Sequence, residues 1–383
     1  MLKQTLDAGY DPGDLLIDGS NVQFSSSDEF LSILGPGEAA RSVSISLAFD
    51  NSDAMALTFS RGPAPRRSFG VEEMQLVEAA GTMTVRVGQS SEELASMLGE
   101  RAVNHARRFA DPAKGTSVRF KVTKEKCLFN VEGTTPEYGI QMLRTLQHQR
   151  ILSRTIHIPG LRGNPERTYQ KAGSGPEFPG TFQRYTASIL ASWLETAPEK
   201  IKAVGNDLRE LELTWKIEVK PANDTRLQLA VGRLPAAAHG GAKDLVSIAD
   251  VGLGVSQVLP ILVALQAAEP NRLVYIEQPE IHLHPRAQVA LAAVFKRALD
   301  RGVRIVVETH SALFLLALQA LTAKGEIPAD KIALNWFSRD RRTGATTVSP
   351  GLLDEKGRFG NWPVDFGDVS LELESQYLEL LGL

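Results

Sequence analysis

The chain has 383 residues, 43% hydrophobic and 23% charged, a composition that predicts packed globular domains and excludes a disordered chain. A formal net charge of -3 gives no overall attraction to nucleic acid, so any such contact needs a local basic patch. The single cysteine, Cys127, excludes an internal disulfide and a thiolate metal cluster, and we expect a reducing, cytoplasmic location. The apolar run at residues 258–268 is shorter than the roughly 18–20 residues of a membrane span, so no membrane contact is expected.

Residues 41–132 show the two-residue period of β-strands. Val43, Ile45, Leu47 and Phe49 are apolar, and small or polar residues stand between them. The same alternation recurs at residues 57–59, 83–87 and 118–122, and a short helix is expected near residues 92–108. The pattern predicts a β-rich antiparallel lobe.

The next region, residues 133–240, is predicted to be a helical insertion. Phe182, Tyr185, Ile189 and Trp193 recur at steps of three or four, which places them on one helix face that packs against a core. Residues 141–184 hold seven Lys or Arg against two acids. Two interpretations stay open: a nucleic-acid patch that includes Arg162 and Arg167, or a solvated face with arginines that anchor loops.

The last third has the clearest pattern. Apolar strands at residues 273–276 and 303–307 alternate with helices at 258–268, at 285–299 and from Ser311 onward. Strands that are apolar throughout and alternate with helices predict an α/β fold with a parallel sheet covered on both faces. Ligands of such sheets bind at the carboxyl ends of the strands.

Polar residues follow both of these strands. They are Glu277, Gln278 and Glu280 after the first strand, and Glu308, Thr309 and His310 after the second. A carboxylate at a strand end suits the water shell of Mg²⁺, and an imidazole there can donate to a γ-phosphate. Upstream, residues 250–257 form a glycine turn that opens a helix, and free N–H groups at such a helix end suit a phosphate.

Together, residues 250–257, 277–285 and 308–311 resemble the second half of an ABC-class, AAA-type ATPase of the branch that includes the OLD, RecF and SMC-like proteins. The resemblance implies a P-loop NTPase-type sheet, ATP and Mg²⁺ as ligands, and a homodimer or higher oligomer. Glu277 matches the Walker B acid, which faces Mg²⁺ through water, residues 280–285 lie in the D-loop region, and His310 matches the switch histidine. The signature loop, which contacts the γ-phosphate bound by the opposite subunit, corresponds to Gly252, Gly254, Ser256 and Gln257.

The resemblance also implies a division of the chain. Residues 1–40 would be a remnant of the N-terminal ATPase core, residues 241–340 the C-terminal core, and residues 341–383 an extension, with the β-rich lobe and the insertion between the two core parts. Residues 159–169 are similar to a segment of close relatives, without an assigned role.

The chain departs from the family pattern at the phosphate loop. No Gly-Lys-Ser or Gly-Lys-Thr occurs, so the P-loop is absent. Residues 1–6 resemble the end of the helix that follows this loop, and we therefore expect a truncated chain with little ATPase activity alone.

Further departures concern turnover. Gln278 stands where many relatives carry the glutamate that polarises water, and an amide cannot accept a proton, so hydrolysis is slow unless Glu280 or the γ-phosphate accepts it. The signature serine is expected near Gly252, but the hydroxyl in this turn is that of Ser256.

Two other interpretations of the histidines stay open. The first is a Zn²⁺ or Mn²⁺ site formed by Glu280, His282 and His284, which share one face of an extended segment. Glu308 and His310 could complete its ligands. Otherwise these histidines only satisfy local hydrogen bonds.

Two functions follow from these residues. The first is an ATPase subunit that couples dimerisation to DNA or RNA processing or to antiphage defence. Any nuclease would be a separate effector chain, because the late acids have no metal-ligand spacing; they are Asp340, Asp354, Asp365 and Asp368. The second is a nucleotide-dead scaffold that binds partner proteins through the β-rich lobe.

Overall fold

A computed structural model describes residues 1–13, 15–35, 38–48, 53–62, 68–79, 81–108, 117–135, 139–143, 145–173, 175–234, 244–360 and 368–381. The chain forms two compact units. The first comprises Met1–Thr155 and Glu177–Thr181, and the second comprises Ile156–Pro176 and Phe182–Leu383.

The first unit is built mainly from antiparallel strands. Its elements are α1 (Leu2–Asp7), β1 (Ile33–Gly35), β2 (Glu38–Ala39), β3 (Ser42–Ala48), β4 (Ala54–Arg61), β5 (Phe69–Glu78), β6 (Gly81–Arg86), α2 (Ser91–Arg107), β7 (Arg119–Glu125), β8 (Leu128–Thr134), β9 (Gly139–Leu143) and α3 (Leu146–Arg154). Strands β3-β4-β5-β6 form one antiparallel sheet and β7-β8-β9 another.

The alternating sequence of the first unit produces its core. Met55, Leu57 and Phe59 on β4 are fully buried, because successive residues of a strand face opposite sides of the sheet. Helix α2 lies where a helix was predicted, and a capping box between Ser90 and Glu93 satisfies its first N–H groups.

The second unit mixes helices with parallel and antiparallel strands. Its elements are β10 (Ile156–Ile158), β11 (Tyr169–Gln170), α4 (Thr186–Thr196), α5 (Pro198–Glu210), β12 (Ile217–Pro221), β13 (Arg226–Gly232), β14 (Leu245–Ser247), α6 (Leu253–Ala267), β15 (Leu273–Glu277), α7 (Pro285–Asp300), β16 (Arg304–Glu308), α8 (Ala312–Ala323), β17 (Ala333–Arg339), β18 (Thr346–Leu352) and α9 (Asp368–Leu380).

The parallel sheet has the order β10-β15-β16. The prediction that two neighbouring parallel strands occupy residues 273–276 and 303–307 is confirmed, and the register places Glu277 beside Glu308. Across the described residues this sheet is small, with three strands. The third strand, β10, was not predicted, because three residues are too few to show a period.

The region predicted to be helical is mixed. It contains α4 and α5, but it also contributes β10 and the antiparallel strands β11, β12 and β13. The purely helical prediction is therefore wrong. Leu227, Leu229 and Val231 alternate with less buried residues on β13, and that two-residue period was the overlooked signal.

Helix α6 lies in the core of the second unit. Val258, Ile261 and Leu262 are fully buried, as expected for a helix that is apolar on every side. No helix within the described ranges is both long and apolar enough to cross a membrane.

Candidate functional site

Glu277 ends strand β15 and is held on both carboxylate oxygens. His157 Nε2 lies 2.9 Å from Oε1, and the backbone N–H of Gly160 donates to Oε2 at 2.9 Å. The hydrogen bond with His157 lowers the pKa of Glu277, although partial burial opposes this. The side chain is 28% exposed, so an ionised carboxylate with further acceptor capacity reaches the strand end.

Sequence reasoning missed His157 and Gly160. The ring of His157 stacks on Tyr275 at 5.2 Å between centroids, because β10 and β15 pair in parallel and put these residues side by side. A polar residue between Ile156 and Ile158 was the available signal.

The backbone of Gln278 connects the end of β15 to the end of β16. Its N–H donates to the carbonyl of Glu308 at 2.7 Å, and its φ of 44° lies in the left-handed region. Such a conformation outside glycine is uncommon and is found at functional turns. The Gln278 side chain remains an amide that can orient water but cannot act as a base.

Glu280 joins the same loop to the end of β16. It accepts hydrogen bonds from Thr309 Oγ1 at 2.9 Å and from the backbone N–H of His310 at 2.7 Å. Both oxygens accept a hydrogen bond, as both oxygens of Glu277 do, and the partners of Glu280 fix the end of β16. The loop brings Glu277 and His310 to the same edge of the sheet, and the exposed His310 side chain makes no hydrogen bond to the described residues.

The glycine turn lies at the start of α6, with Gly252 as N-cap and no side chain capping the first N–H groups. Ser256 Oγ donates to the carbonyl of Leu253 at 2.9 Å. Gln257 is buried and donates to the carbonyl of Gly163 at 2.8 Å, so it faces the protein interior rather than a ligand. Gly252 is exposed, and its turn is the part of the predicted signature loop that a phosphate can reach.

Gly254 packs closely rather than binding. A methyl group there would lie 3.1 Å from the backbone oxygen of His282 and 3.3 Å from Leu213 Cδ2. In Gly205, within α5, an added methyl group meets nothing within 4 Å. The two glycines form a matched pair on neighbouring helices.

We expect Gly254→Ala to destabilise the second unit by about 1–3 kcal/mol, because the methyl group overpacks against backbone. Gly205→Ala should gain up to about 1 kcal/mol, since alanine is the better helix former. Urea unfolding followed by tryptophan fluorescence measures both, and all four tryptophans lie in the sequence of the second unit. A gain in both variants would contradict the close contact.

The alternative metal site is not formed. Within the described residues, which include all five candidates, no group of three or more His, Cys, Asp or Glu is placed to hold a metal ion. Glu280 is engaged by the β16 end, and His284 accepts from the Arg286 N–H as the N-cap of α7. Glu277 is a single ionised carboxylate at the strand end, and its chemistry fits hydrogen bonding to metal-bound water rather than direct ligation in a cluster.

The late acids include turn residues. Asp340 accepts from Thr343 and Asp354 accepts from Arg358 within local turns, whereas Asp365 lies outside the described residues.

Of the two arginines proposed for nucleic acid, Arg162 anchors a loop instead, and Arg167 forms an exposed ion pair. Arg162 is 8% exposed, and its Nη2 donates to the carbonyls of Glu277 at 2.6 Å and Gln278 at 3.0 Å. Arg167 makes a two-point ion pair with Asp250 at 2.8 and 3.1 Å. A buried Arg162 is not offered to a polynucleotide, so that assignment is wrong for Arg162, and the loop-anchoring interpretation describes both contacts.

One family model matches a segment of the chain that contains part of this site. Residues 176–317, less than half of the chain, match the family described as "AAA domain, putative AbiEii toxin, Type IV TA system". The matched segment includes the glycine turn, Glu277 and His310, but not β10 or Arg162. No curated protein matches the chain.

Several solved structures are weakly similar. One comes from work on ATP-driven dimerisation and DNA-stimulated activation of SMC ATPases, with 12% identity, 49% of this chain and 97% of that chain covered, and a TM-score of 0.33. An SMC head bound to the C-winged-helix domain of ScpA has 9% identity, 88% and 83% coverage, and a TM-score of 0.40. The SMC head domain from Thermotoga maritima has 8% identity, 70% and 93% coverage, and a TM-score of 0.29. These scores are too low to establish a shared fold.

The family match and the strand-end geometry agree on one part of the chain. An acid and an imidazole end neighbouring parallel strands inside the matched segment, 176–317. The match supports an AAA-type domain in this part of the second unit.

Proposed function

We propose that the second unit is the Walker B and signature half of an ABC-class ATPase of the OLD, RecF and SMC-like branch. Mg²⁺ and ATP bind between the Glu277 and His310 edge of one copy and the N-terminal turn of α6 of another. The observation that carries this proposal is the meeting of Glu277 and His310 at one edge of the parallel sheet.

Each residue has a distinct task in this proposal. The ionised Glu277 accepts from the water shell of Mg²⁺, which supplies charge neutralisation to the phosphates when bound. The imidazole of His310 donates to a phosphate oxygen. In the second copy, Gly252 and the uncapped N–H groups after it face the same phosphate.

Turnover is expected to be slow. Gln278 orients the attacking water but cannot take its proton, and Glu280 is already engaged by Thr309 and His310. Because hydrolysis is slow, bound ATP can hold two copies together for longer than it could in a fast enzyme. This favours a switch that acts on DNA, RNA or a separate nuclease or effector chain, such as one in antiphage defence, over a fast enzyme.

A nucleotide-dead scaffold is the second candidate function. Its support is the absence of a Gly-Lys-Ser or Gly-Lys-Thr sequence together with Gln278. Without P-loop ligands, the β- and γ-phosphates lose most of their contacts. A scaffold would bind partner proteins through the antiparallel lobe and would be indifferent to ATP.

The test is a titration of fluorescent ATP, with Mg²⁺, against the 383 residues and against the same chain extended by any residues encoded in frame upstream. We expect saturable, Mg²⁺-dependent binding in the extended protein and its loss in Glu277→Gln, because the amide is a weaker partner for metal-bound water. The control is Glu326→Gln, an exposed glutamate beyond α8, which should bind as the wild type does. Absence of binding in every protein would support the scaffold, and equal binding in Glu277→Gln would remove its assigned role.

A further inference from the structure

Residues 159–167, which we call the linking loop, follow β10 and contact both parts of the candidate site. At one end, Gly160 donates to the carboxylate of Glu277. At the other end, the loop meets the start of α6 through Gly163 and Arg167. None of the roles assigned above explains why one short loop makes all of these contacts.

Arg162 is the central contact. A single nitrogen, Nη2, donates to two successive carbonyls, those of Glu277 and Gln278, and this holds the peptide that follows β15. Nε and Nη1 are buried and have no hydrogen-bond partner among the residues that the structure describes. Burial lowers the pKa of Arg162 to about 10, against the opposite influence of the acids Glu280 and Glu277.

Burying a guanidinium in this way is costly, because a charge loses its hydration and only one of its nitrogens regains partners. An apolar residue would fill the same space at a lower cost in stability. Packing therefore does not explain the Arg162 side chain. It is better explained by its hold on Glu277 and on Gln278, whose backbone is in the left-handed region.

The opposite end of the linking loop is held by one buried hydrogen bond and one exposed ion pair. Gln257, in the first turns of α6, is buried and donates to the carbonyl of Gly163. Gly163 has a φ of 73°, so a side chain at this position would be strained. Arg167 forms an ion pair with Asp250, the first residue of the glycine turn.

We propose that the linking loop couples the acid end of β15 to the N-terminal turn of α6, with Arg162 as its positioning residue. A displacement of Glu277 is transmitted through Arg162 and Gly163 to Gln257. A displacement of the N-terminal turn of α6 is transmitted to Glu277 by the same contacts, because coupling between two sites is reciprocal. The identity of the ligands at the two ends rests on the proposed function, whereas the coupling itself does not.

Hydrogen–deuterium exchange of the backbone amides, in the full chain and without nucleotide, measures this coupling. We expect Arg162→Met to raise the exchange rate of residues 256–259 by at least about fivefold, although Arg162 makes no hydrogen bond to α6. These are the first residues of α6 whose N–H groups have partners within the helix. Arg162→Lys, whose ammonium can still donate to a carbonyl, should give an intermediate rate. The reciprocal variant, Gln257→Leu, should raise exchange at residues 278–281.

The control is Arg297→Met, which removes a partly buried arginine from its ion pair with Asp207 on α5. It should leave the exchange of residues 256–259 unchanged. Unchanged exchange in Arg162→Met, or an even rise over the whole second unit, would overturn the proposal. If Arg162→Met loses its secondary structure, Arg162→Lys and Gln257→Leu decide the question in the same way.

A second arm adds ATP and Mg²⁺ to whichever protein binds them. Wild type should gain protection at residues 253–257, and Arg162→Lys should lose most of that gain. Equal gains would contradict the coupling in the bound state. If no protein binds ATP, the proposed function fails, while the nucleotide-free exchange still decides whether the loop couples the two ends.

Discussion

Replacing Phe314 with alanine should lower the free energy of unfolding of the second unit by about 3–5 kcal/mol. Phe314 is 1% exposed in the first turn of α8, directly after the loop that carries His310. Its ring meets the edge of Phe295 on α7 at 5.2 Å between centroids, so the substitution removes an aromatic pair as well as buried area. Urea unfolding followed by tryptophan fluorescence reports this unit, since all four tryptophans belong to it.

The matched control is Leu316→Ala on the same helix. Leu316 is 60% exposed, so its truncation should change stability by no more than about 0.5 kcal/mol. Equal losses in the two variants would show that α8 is not packed through Phe314. A loss only in Phe314→Ala also identifies the packing that holds the His310 loop in place.

In a form of the protein that hydrolyses ATP, His310→Ala should reduce turnover by about 100-fold to 1,000-fold. The imidazole is exposed at the end of β16, and it is the donor that the proposed site aims at the γ-phosphate. Because the backbone N–H of His310, not its ring, holds Glu280, the substitution leaves that hydrogen bond in place. Steady-state phosphate release measures turnover, and unfolding of the variant checks that stability is retained.

His105→Ala is the control for this variant. It removes an exposed imidazole from the last turn of α2, in the first unit and outside the proposed site residues, and it should retain wild-type turnover. If His310→Ala turned over ATP as fast as His105→Ala does, the switch-histidine role would be wrong. The signature and Walker B assignments would then need separate tests.

Much of the parallel sheet was predictable from the sequence. The strands β15 and β16 are short apolar runs that each end in glutamate, and each is followed by a helical period, so their parallel pairing follows from the pattern. The same runs indicated that Glu277 and His310 end at one edge. Their chemical types, an acid and an imidazole, already suggested a phosphate or metal ligand.

Other features of the site were hidden because their contacts join residues distant in sequence. His157 lies 120 positions from Glu277, and no local period marks a three-residue strand as part of the same sheet. For Arg162 the sequence left two interpretations open, a nucleic-acid patch or an arginine that anchors a loop, because charge alone does not separate them. The burial of Arg162 depends on the carbonyls of Glu277 and Gln278, which only the folded chain brings to it.

The sequence by itself determined the strands of the β-rich lobe, the alternating strands and helices of the last third, the strand-end chemistry and the absence of a Gly-Lys-Ser or Gly-Lys-Thr phosphate loop, because these depend on local order and composition. The tertiary structure decided which polar groups remain available. Gln257 is buried and engaged by the carbonyl of Gly163, whereas Glu277 is partly exposed and His310 is exposed at the sheet edge. The physical reason is that a hydrogen bond inside the fold uses up a donor or acceptor that, in the sequence, is indistinguishable from a free one.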